Sequence, residues 1–533
     1  MTKNMDVHKV FAGYFEGAEA LAYAVSGKLE EGSICLDTED YIEEMKQAEV
    51  NGLAKKENPF WAHAEDFRAQ MAEGRFVTHD ASVLKPFVVE NGLVYLQRYY
   101  KYETRIQRNI ERLGKNFRII TGGPGTGKTF SVGKNLVTLF KENPEITVFM
   151  AAPTGKAAAR MEESLRGFVE KNKNTIPETT QDKLKALHAQ TIHRLLGYIQ
   201  NSVFFRHNKD NPLPCHVLVI DEASMIDGAL MAKLLDATDN NTQLFLIGDK
   251  DQLASVEAGS VFGDMCRAKE CKLLKNKVKV KVENFRSEGK HIIDFSKELI
   301  HGNTAFILDY SNNDDVVIDK PAEGRYSEDL FRNEVMLYKE YIEEEDIKTA
   351  LQKLNRVRVL CVTREQDHSV AETNKRIEKI LAGEYKESSL FSPKSGFYHN
   401  QPIIITKNDY DLGVNNGDVG LIRKDGNVLN ACFEDGQSSK GYKSIPAGYL
   451  NHYQTVFAMT IHKSQGSEFD HVVVLLPEKR GEKLLTRELL YTGVTRARKK
   501  VLVQATPEVL EKCIHATVTR ASGLTQRLEN ETI

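Results

Sequence analysis

The chain has 533 residues, more than one hydrophobic core usually serves, so three or four domains are expected. Its 72 Lys and Arg against 75 Asp and Glu give a formal net charge of -3, which excludes a globally basic nucleic-acid binder and leaves phosphate contacts to a local track of donors. Hydrophobic residues at 41% and charged residues at 28% are globular proportions, and the absence of any run of about 18 apolar residues argues against a membrane span.

The charged N-terminus has no apolar stretch behind it, so no secretory leader is expected. Seven cysteines (Cys35, Cys215, Cys266, Cys271, Cys361, Cys432, Cys513) carry no CxxC or zinc spacing and read as reduced thiols of a soluble, cytoplasmic protein.

Residues 1–112 read as a polar, mostly helical accessory or docking domain holding Trp61. Its last part, 95–113, has apolar and aromatic residues at helical spacing with arginines between them. From Phe117 short β-rich runs alternate with helical segments. Strands are expected at 117–120, 146–150, 216–221, 243–248, 357–362, 471–476 and 499–505. Continuous apolar runs of this length suit parallel sheets covered on both faces, so the fold class is α/β with two such domains. The polar gap near 270–350 is expected to hold helices and loops. Residues 386–452 are broken by Asn-Gly-Asp, Asp-Gly-Asn and Asp-Gly turns and predict a small antiparallel β-barrel inserted in the second α/β domain.

Residues Gly122-Gly123-Pro124-Gly125-Thr126-Gly127-Lys128-Thr129 fit GxxxxGK[ST] between an expected strand and helix. Glycine amides and the helix N-terminus favour phosphates, Lys128 can reach the β- and γ-phosphates, and Thr129 can ligate Mg²⁺. HVLVIDEAS supplies a second element: Asp221 to hold Mg²⁺, and Glu222 to orient and deprotonate the attacking water. Together these predict ATP hydrolysis.

Further segments go beyond a simple ATPase. Thr154, Gly155 and Lys156 stand at a strand-to-helix junction suited to a strand phosphate, although Thr154 is also a plain helix cap. Thr191 and His193 follow, with a buried histidine as the rival reading. Gln252 suits a γ-phosphate sensor, Arg286 in ENFRS follows the first α/β domain, and Arg496 suits a guanidinium contact to the γ-phosphate.

In order, GGPGTGKT, APTGKAAARM, TIHRLLG, VIDEASMID, GDKDQLASVEAG, ENFRS, TIHKSQGSEFD and YTGVTRAR resemble motifs I to VI of superfamily 1 helicases, specifically the RecD branch, over about residues 115–505. The resemblance implies two RecA-like P-loop domains with parallel sheets, an inserted SH3-like barrel and a mostly helical N-terminal domain. It implies boundaries of 1–112 for the docking domain, 113–275 for the first RecA-like domain with a small pin near 198–215, 276–385 with 453–533 for the second, and 386–452 for the insert. ATP and Mg²⁺ are the implied cofactors, with Lys128, Thr129, Asp221, Glu222, Gln252, Arg286, Gln465 and Arg496 at nucleotide positions. Thr154, Lys156, His193, Thr460, His462 and Ser464 match strand-contacting positions. The implied activity is 5′-to-3′ movement on single-stranded and forked DNA beside RecB-like and RecC-like subunits, with no membrane. One departure stands out. The stretch before the phosphate loop is short, and Gln107 is only a weak match to the adenine-reading glutamine. Rival readings are a DNA-stimulated ATPase clamp, a stand-alone helicase of this branch, or a structural subunit.

Overall fold

A computed structural model describes residues 6–283, 288–321, 325–365, 368–385, 396–409, 411–436, 438–478, 481 and 484–530; Arg286 lies outside them. The chain forms two compact units, one of residues 1–250, 254–283 and 519–533, the other of 251–253 and 284–518. No helix among the described residues is long and apolar enough to cross a membrane.

The first unit begins with helices and a sheet of β1 (Cys35–Asp37), β2 (Val77–Thr78), β3 (Phe87–Glu90) and β4 (Leu93–Leu96), in the order β1-β4-β3-β2. The expectation of a mostly helical region thus gains four short strands. Asn91 (φ 52°) and Gly92 (φ 79°) supply the left-handed pair that turns β3 into antiparallel β4. Leu21, Val25, Phe67, Phe87 and Val94 form the core here.

Helix Gln97–Leu113 leads out of this region. Arg105 and Asn109 hold Asp236, and Arg112 donates to the carbonyls of Leu235 and Thr238, which fixes the helix against Gly228–Asp236. Behind it lie β5 (Phe117–Gly122), β6 (Val148–Ala152), β7 (Ala189–Thr191), β8 (Val217–Ile220), β9 (Gln243–Gly248) and β10 (Val278–Lys281). They form a wholly parallel sheet in the order β10-β5-β9-β8-β6-β7. Alternate residues face opposite cores: Val217 and Val219 pack with Leu136 and Phe168, whereas Leu218 and Ile220 pack with Met231 and Phe262.

Two boundaries differ from expectation. Strand β10, expected outside the first α/β domain, pairs with β5 from Val278–Ile119 to Lys281–Gly122. Residues 519–530, expected with the second domain, belong to the first unit, where Leu524 and Leu528 join the core containing Ile34, Tyr95 and Ile106. Burial of those two leucines is the physical reason.

In the second unit β11 (Val316–Asp319) and β12 (Val357–Cys361) precede the insert. The insert is an antiparallel sheet of β13 (Pro402–Ile405), β14 (Val419–Asp425), β15 (Val428–Glu434), β16 (Tyr442–Pro446) and β17 (Tyr453–Thr455), in the order β16-β15-β14-β13-β17. Ile403, Ile422, Phe433 and Ile445 form its own core. Then β18 (Ala458–Thr460), β19 (Phe469–Leu475) and β20 (Ala497–Gln504) complete a parallel sheet ordered β11-β20-β19-β12-β18. The polar gap therefore contains β10 and β11 as well as helices.

Candidate functional site

Six parallel strands place all their carboxyl ends on one edge of the first unit's sheet, where open α/β folds hold ligands. There β5 runs into the loop 122–129. Gly125 (φ 75°) and Gly127 (φ 71°) take left-handed conformations, and Gly127 opens helix Lys128–Glu142. Thr126 Oγ1 donates to the Gly123 carbonyl at 2.7 Å and closes the turn. The Lys128 ammonium folds back onto the loop, donating to the carbonyls of Gly122 and Gly123, the latter at 3.1 Å. Pro124 and Thr129 are half-buried in the same turn.

Asp221 and Glu222 follow β8 on the same edge. Burial raises the Asp221 carboxyl above its usual range, the Glu222 charge adds to this, and Lys128 and Arg160 oppose it. Lys128 and the acidic pair therefore share one electrostatic field. Asp221 Oδ1 accepts the Glu222 amide at 2.8 Å. Glu222 itself holds φ 51° and ψ 40°, a left-handed conformation that costs a non-glycine residue about 1 kcal/mol. Asp221 and Glu222 are hard oxygen donors of the kind a divalent cation takes, although among the described residues no three or more His, Cys, Asp or Glu side chains gather into a metal-holding group.

Thr154 acts as the plain cap considered above: its hydroxyl accepts the Ala157 amide at 3.2 Å and opens helix Gly155–Lys171, with Lys156 half-buried on the first turn. Thr191 likewise caps Ile192–Leu195. His193 is exposed rather than buried, its ring edge-on to Phe205 at 5.7 Å. Although the residue is exposed overall, protein packed around part of the ring desolvates it and lowers its pKa, with Asp227 opposing and Lys233 adding to the fall. The adjoining 197–207 stretch doubles back through Arg206 N to Gly197 O and a bridge of Tyr198 with Phe205, leaving Val203 and Phe204 (73% exposed) at its tip.

In the second unit Gln252 is buried, and Leu253 sits in the core. The Leu253 amide donates to Thr492 Oγ1 at 2.9 Å, and its carbonyl accepts the Gln465 side-chain amide at 3.0 Å. Arg496 is 2% exposed; its guanidinium donates to the carbonyls of Thr492 and Ser467 at 3.2 and 3.0 Å. Gln465 and Arg496 are thus both engaged within their own unit. Thr460 ends β18 and accepts the Lys463 amide, and His462 is half-buried beside it. Ser464 is fully buried and donates to the Ile461 carbonyl, which places its hydroxyl inside the unit rather than on a strand-contacting surface. A narrow crevice at Thr460 is also lined by Arg364 and Lys463, two cations that sequence reasoning missed. The only sequence signal for them was their place just after the ends of β12 and β18.

Gln107 lies elsewhere. Its side chain donates to the Arg527 carbonyl at 3.4 Å and lines a 240 Å³ cavity with Glu90, Tyr95 and Arg527.

A family model described as an AAA domain matches residues 107–258, and a UvrD-like helicase C-terminal domain model matches 455–504. The RecBCD enzyme subunit RecD of Mycobacterium tuberculosis is 32% identical over 562 aligned residues, covering 97% of this chain and 92% of that protein. The corresponding subunit of Mycolicibacterium smegmatis is 34% identical over 435 residues, 78% of this chain and 73% of that protein. A crystal structure of Bacteroides Pif1 bound to single-stranded DNA aligns with 76% of this chain and 93% of that one, at 16% identity and a TM-score of 0.40. With a phosphate loop, an acidic pair and sequence likeness along nearly its whole length, the chain belongs to the RecD family of superfamily 1 helicases.

Proposed function

We propose that the chain is an ATP-dependent DNA helicase that moves 5′ to 3′ along single-stranded DNA and opens forked duplexes. On this reading it serves double-strand break repair and recombination as one subunit of a RecBCD-like complex, with RecB-like and RecC-like partners. The observation that carries it is the placement of Lys128, Asp221 and Glu222 at the carboxyl ends of β5 and β8 on one sheet edge, beside a loop whose glycine conformations suit phosphate.

Lys128, now held by two loop carbonyls, would exchange them for phosphate oxygens. Glu222, pinned by its backbone conformation, would orient and deprotonate the attacking water. Asp221 and Thr129 would hold Mg²⁺, which supplies charge neutralisation on the phosphates. Gln252, Gln465, Arg286 and Arg496 are assigned to sensing the nucleotide. Thr154, Lys156, His193, Thr460 and His462 are assigned to the strand, joined by Arg364 and Lys463; contacts to phosphates would make unwinding tolerant of sequence. The 402–455 sheet is read as the SH3-like insert, and 198–215 as a pin whose exposed Phe204 meets an unpaired base.

Strand displacement on a forked duplex with a 5′ single-stranded tail tests this. Displacement that needs ATP and disappears in Lys128→Gln, with folding intact, is the expected result. DNA-stimulated hydrolysis without displacement would replace the helicase by a clamp.

A further inference from the structure

Gln252 stands on a short stretch of chain that is tied down on either side. Before it, the Lys250 amide donates to Thr121 Oγ1 at 3.2 Å, one residue ahead of the phosphate loop. After it, residues 255–259 fold into a tight turn. Ser255 Oγ shares its proton between the carbonyls of Glu257 and Gly259 at 2.8 and 3.0 Å, and Gly259 takes φ 117°. Both ties belong to the first unit, which also carries the phosphate loop.

Arg520, from the far end of the chain, closes the second tie. One nitrogen of its guanidinium, Nη1, reaches the carbonyls of Ser255, Glu257 and Gly259 at 2.6, 3.3 and 3.3 Å. The guanidinium has room there because residue 32 is glycine: a Cβ on Gly32 would fall 2.6 Å from the Arg520 Cζ. The Gly32 carbonyl in turn accepts the Gly259 amide at 2.9 Å. Arg520 is itself held in place through Ala521, whose carbonyl accepts the Ile34 amide at 2.9 Å and whose amide donates to Ser33 Oγ at 3.1 Å. Burial lowers the Arg520 pKa, and among the described residues no carboxylate is paired with it. A buried guanidinium whose partners are backbone carbonyls fixes the course of a loop rather than balancing a charge.

Resting on the assignment of Gln252 as the γ-phosphate sensor, we propose that Arg520 is a positioning residue for ATP turnover: by clamping the carbonyls that follow Gln252, it holds the sensor amide at the reach a terminal phosphate requires. Thr121 sets the other end of the same stretch, so the place of Gln252 is measured off from the strand that opens the phosphate loop and from the C-terminal segment together. Losing the Arg520 clamp leaves only the first of these ties.

Steady-state ATP hydrolysis by the full chain on single-stranded DNA, in Arg520→Met, Arg520→Lys, Gln252→Ala and the double variant of Arg520→Met with Gln252→Ala, tests this. Expected in Arg520→Met is a fall in kcat of about ten- to a hundredfold, the scale of a small misplacement at a reacting centre, with KM for ATP and the affinity for ADP within about threefold of the unaltered chain. Arg520→Lys should recover most of kcat, because a single nitrogen makes all three contacts and an ammonium carries three donors for them. Since Arg520 works through Gln252, the double variant should be no slower than Gln252→Ala alone. Multiplied losses in the double variant, or full turnover in Arg520→Met beside a crippled Gln252→Ala, would overturn the positioning role and leave the sensor in place. A lowered melting temperature with weakened ADP binding in Arg520→Met, unrestored by lysine, would reduce Arg520 to a packing residue. Full turnover in Gln252→Ala would overturn the sensor assignment and the positioning role with it.

Discussion

Gly122 faces the backbone of Lys281 so closely that a Cβ on it would lie 2.5 Å from the Lys281 carbonyl oxygen. The contact follows from the register of β5 with β10, which sets these two residues side by side where the phosphate loop begins. Gly122→Ala should therefore push the two strands apart. Gly→Ala at a position without strain is often mildly stabilising; here a loss of about 1–3 kcal/mol is expected from the overpacked backbone. Chemical denaturation and ATP turnover measured on the same preparation check it, and an unchanged midpoint with full turnover would mean the strands yield freely.

Glu222 offers the opposite test. Its left-handed backbone disfavours any side chain, so Glu222→Gly should keep stability or gain up to about 1 kcal/mol. Turnover should nonetheless fall at least about a hundredfold, the scale of general-base loss. Parallel loss of stability and turnover would mean that the carboxylate serves the fold.

Arg496 should show two separable roles. Its guanidinium satisfies the buried carbonyls of Thr492 and Ser467, so Arg496→Ala should cost about 1–3 kcal/mol in the second unit. Arg496→Lys should recover part of that stability but little turnover, because an ammonium cannot reproduce the planar fork. ATP binding should persist in both. Recovery of full turnover by lysine would make the residue structural.

Stability should fall as pH rises between about 4.5 and 7. Glu103 is wholly buried, and burial pushes its carboxyl up to about 7 from the ordinary 4.5, against the hydrogen bond from Ser522 and the charge of Arg527; Asp264 adds to the rise. The folded chain thus keeps a proton that the unfolded chain has already released. Its contribution is complete below pH 4.5, declines through the window and is lost above about 7, a change on the order of 3 kcal/mol. Glu103→Gln should flatten that slope. A slope unchanged in the variant would assign it to other groups.

The phosphate loop was legible because its chemistry is local: eight consecutive residues, a strand before and a helix after. The same holds for Asp221 and Glu222, which simply end a run of apolar residues, and every strand expected from a continuous apolar run is present, within a few residues. Strand β10 escaped notice because its alternating lysines and valines look like a polar linker, and its partner lies about 160 positions earlier in the chain. The β3–β4 hairpin carried a signal that went unused, Asn91-Gly92 between two apolar runs. Nothing local could tell that Gln465 would bind the Leu253 carbonyl or that Arg496 would reach the Ser467 carbonyl, since those partners lie far along the chain, whereas Ser464 turns onto the Ile461 carbonyl only three residues before it.

Residues 519–530 belong to the first unit although the ribosome makes them only after all of the second. Until they arrive, Leu524 and Leu528 are missing from the core and Tyr95 lacks the Arg527 guanidinium over its ring. A nascent chain must therefore wait with its earliest-made unit unfinished, which gives chaperones a long interval in which to act. It also means that a copy cut short by a late stop codon should be cleared by proteolysis, even with every helicase motif intact.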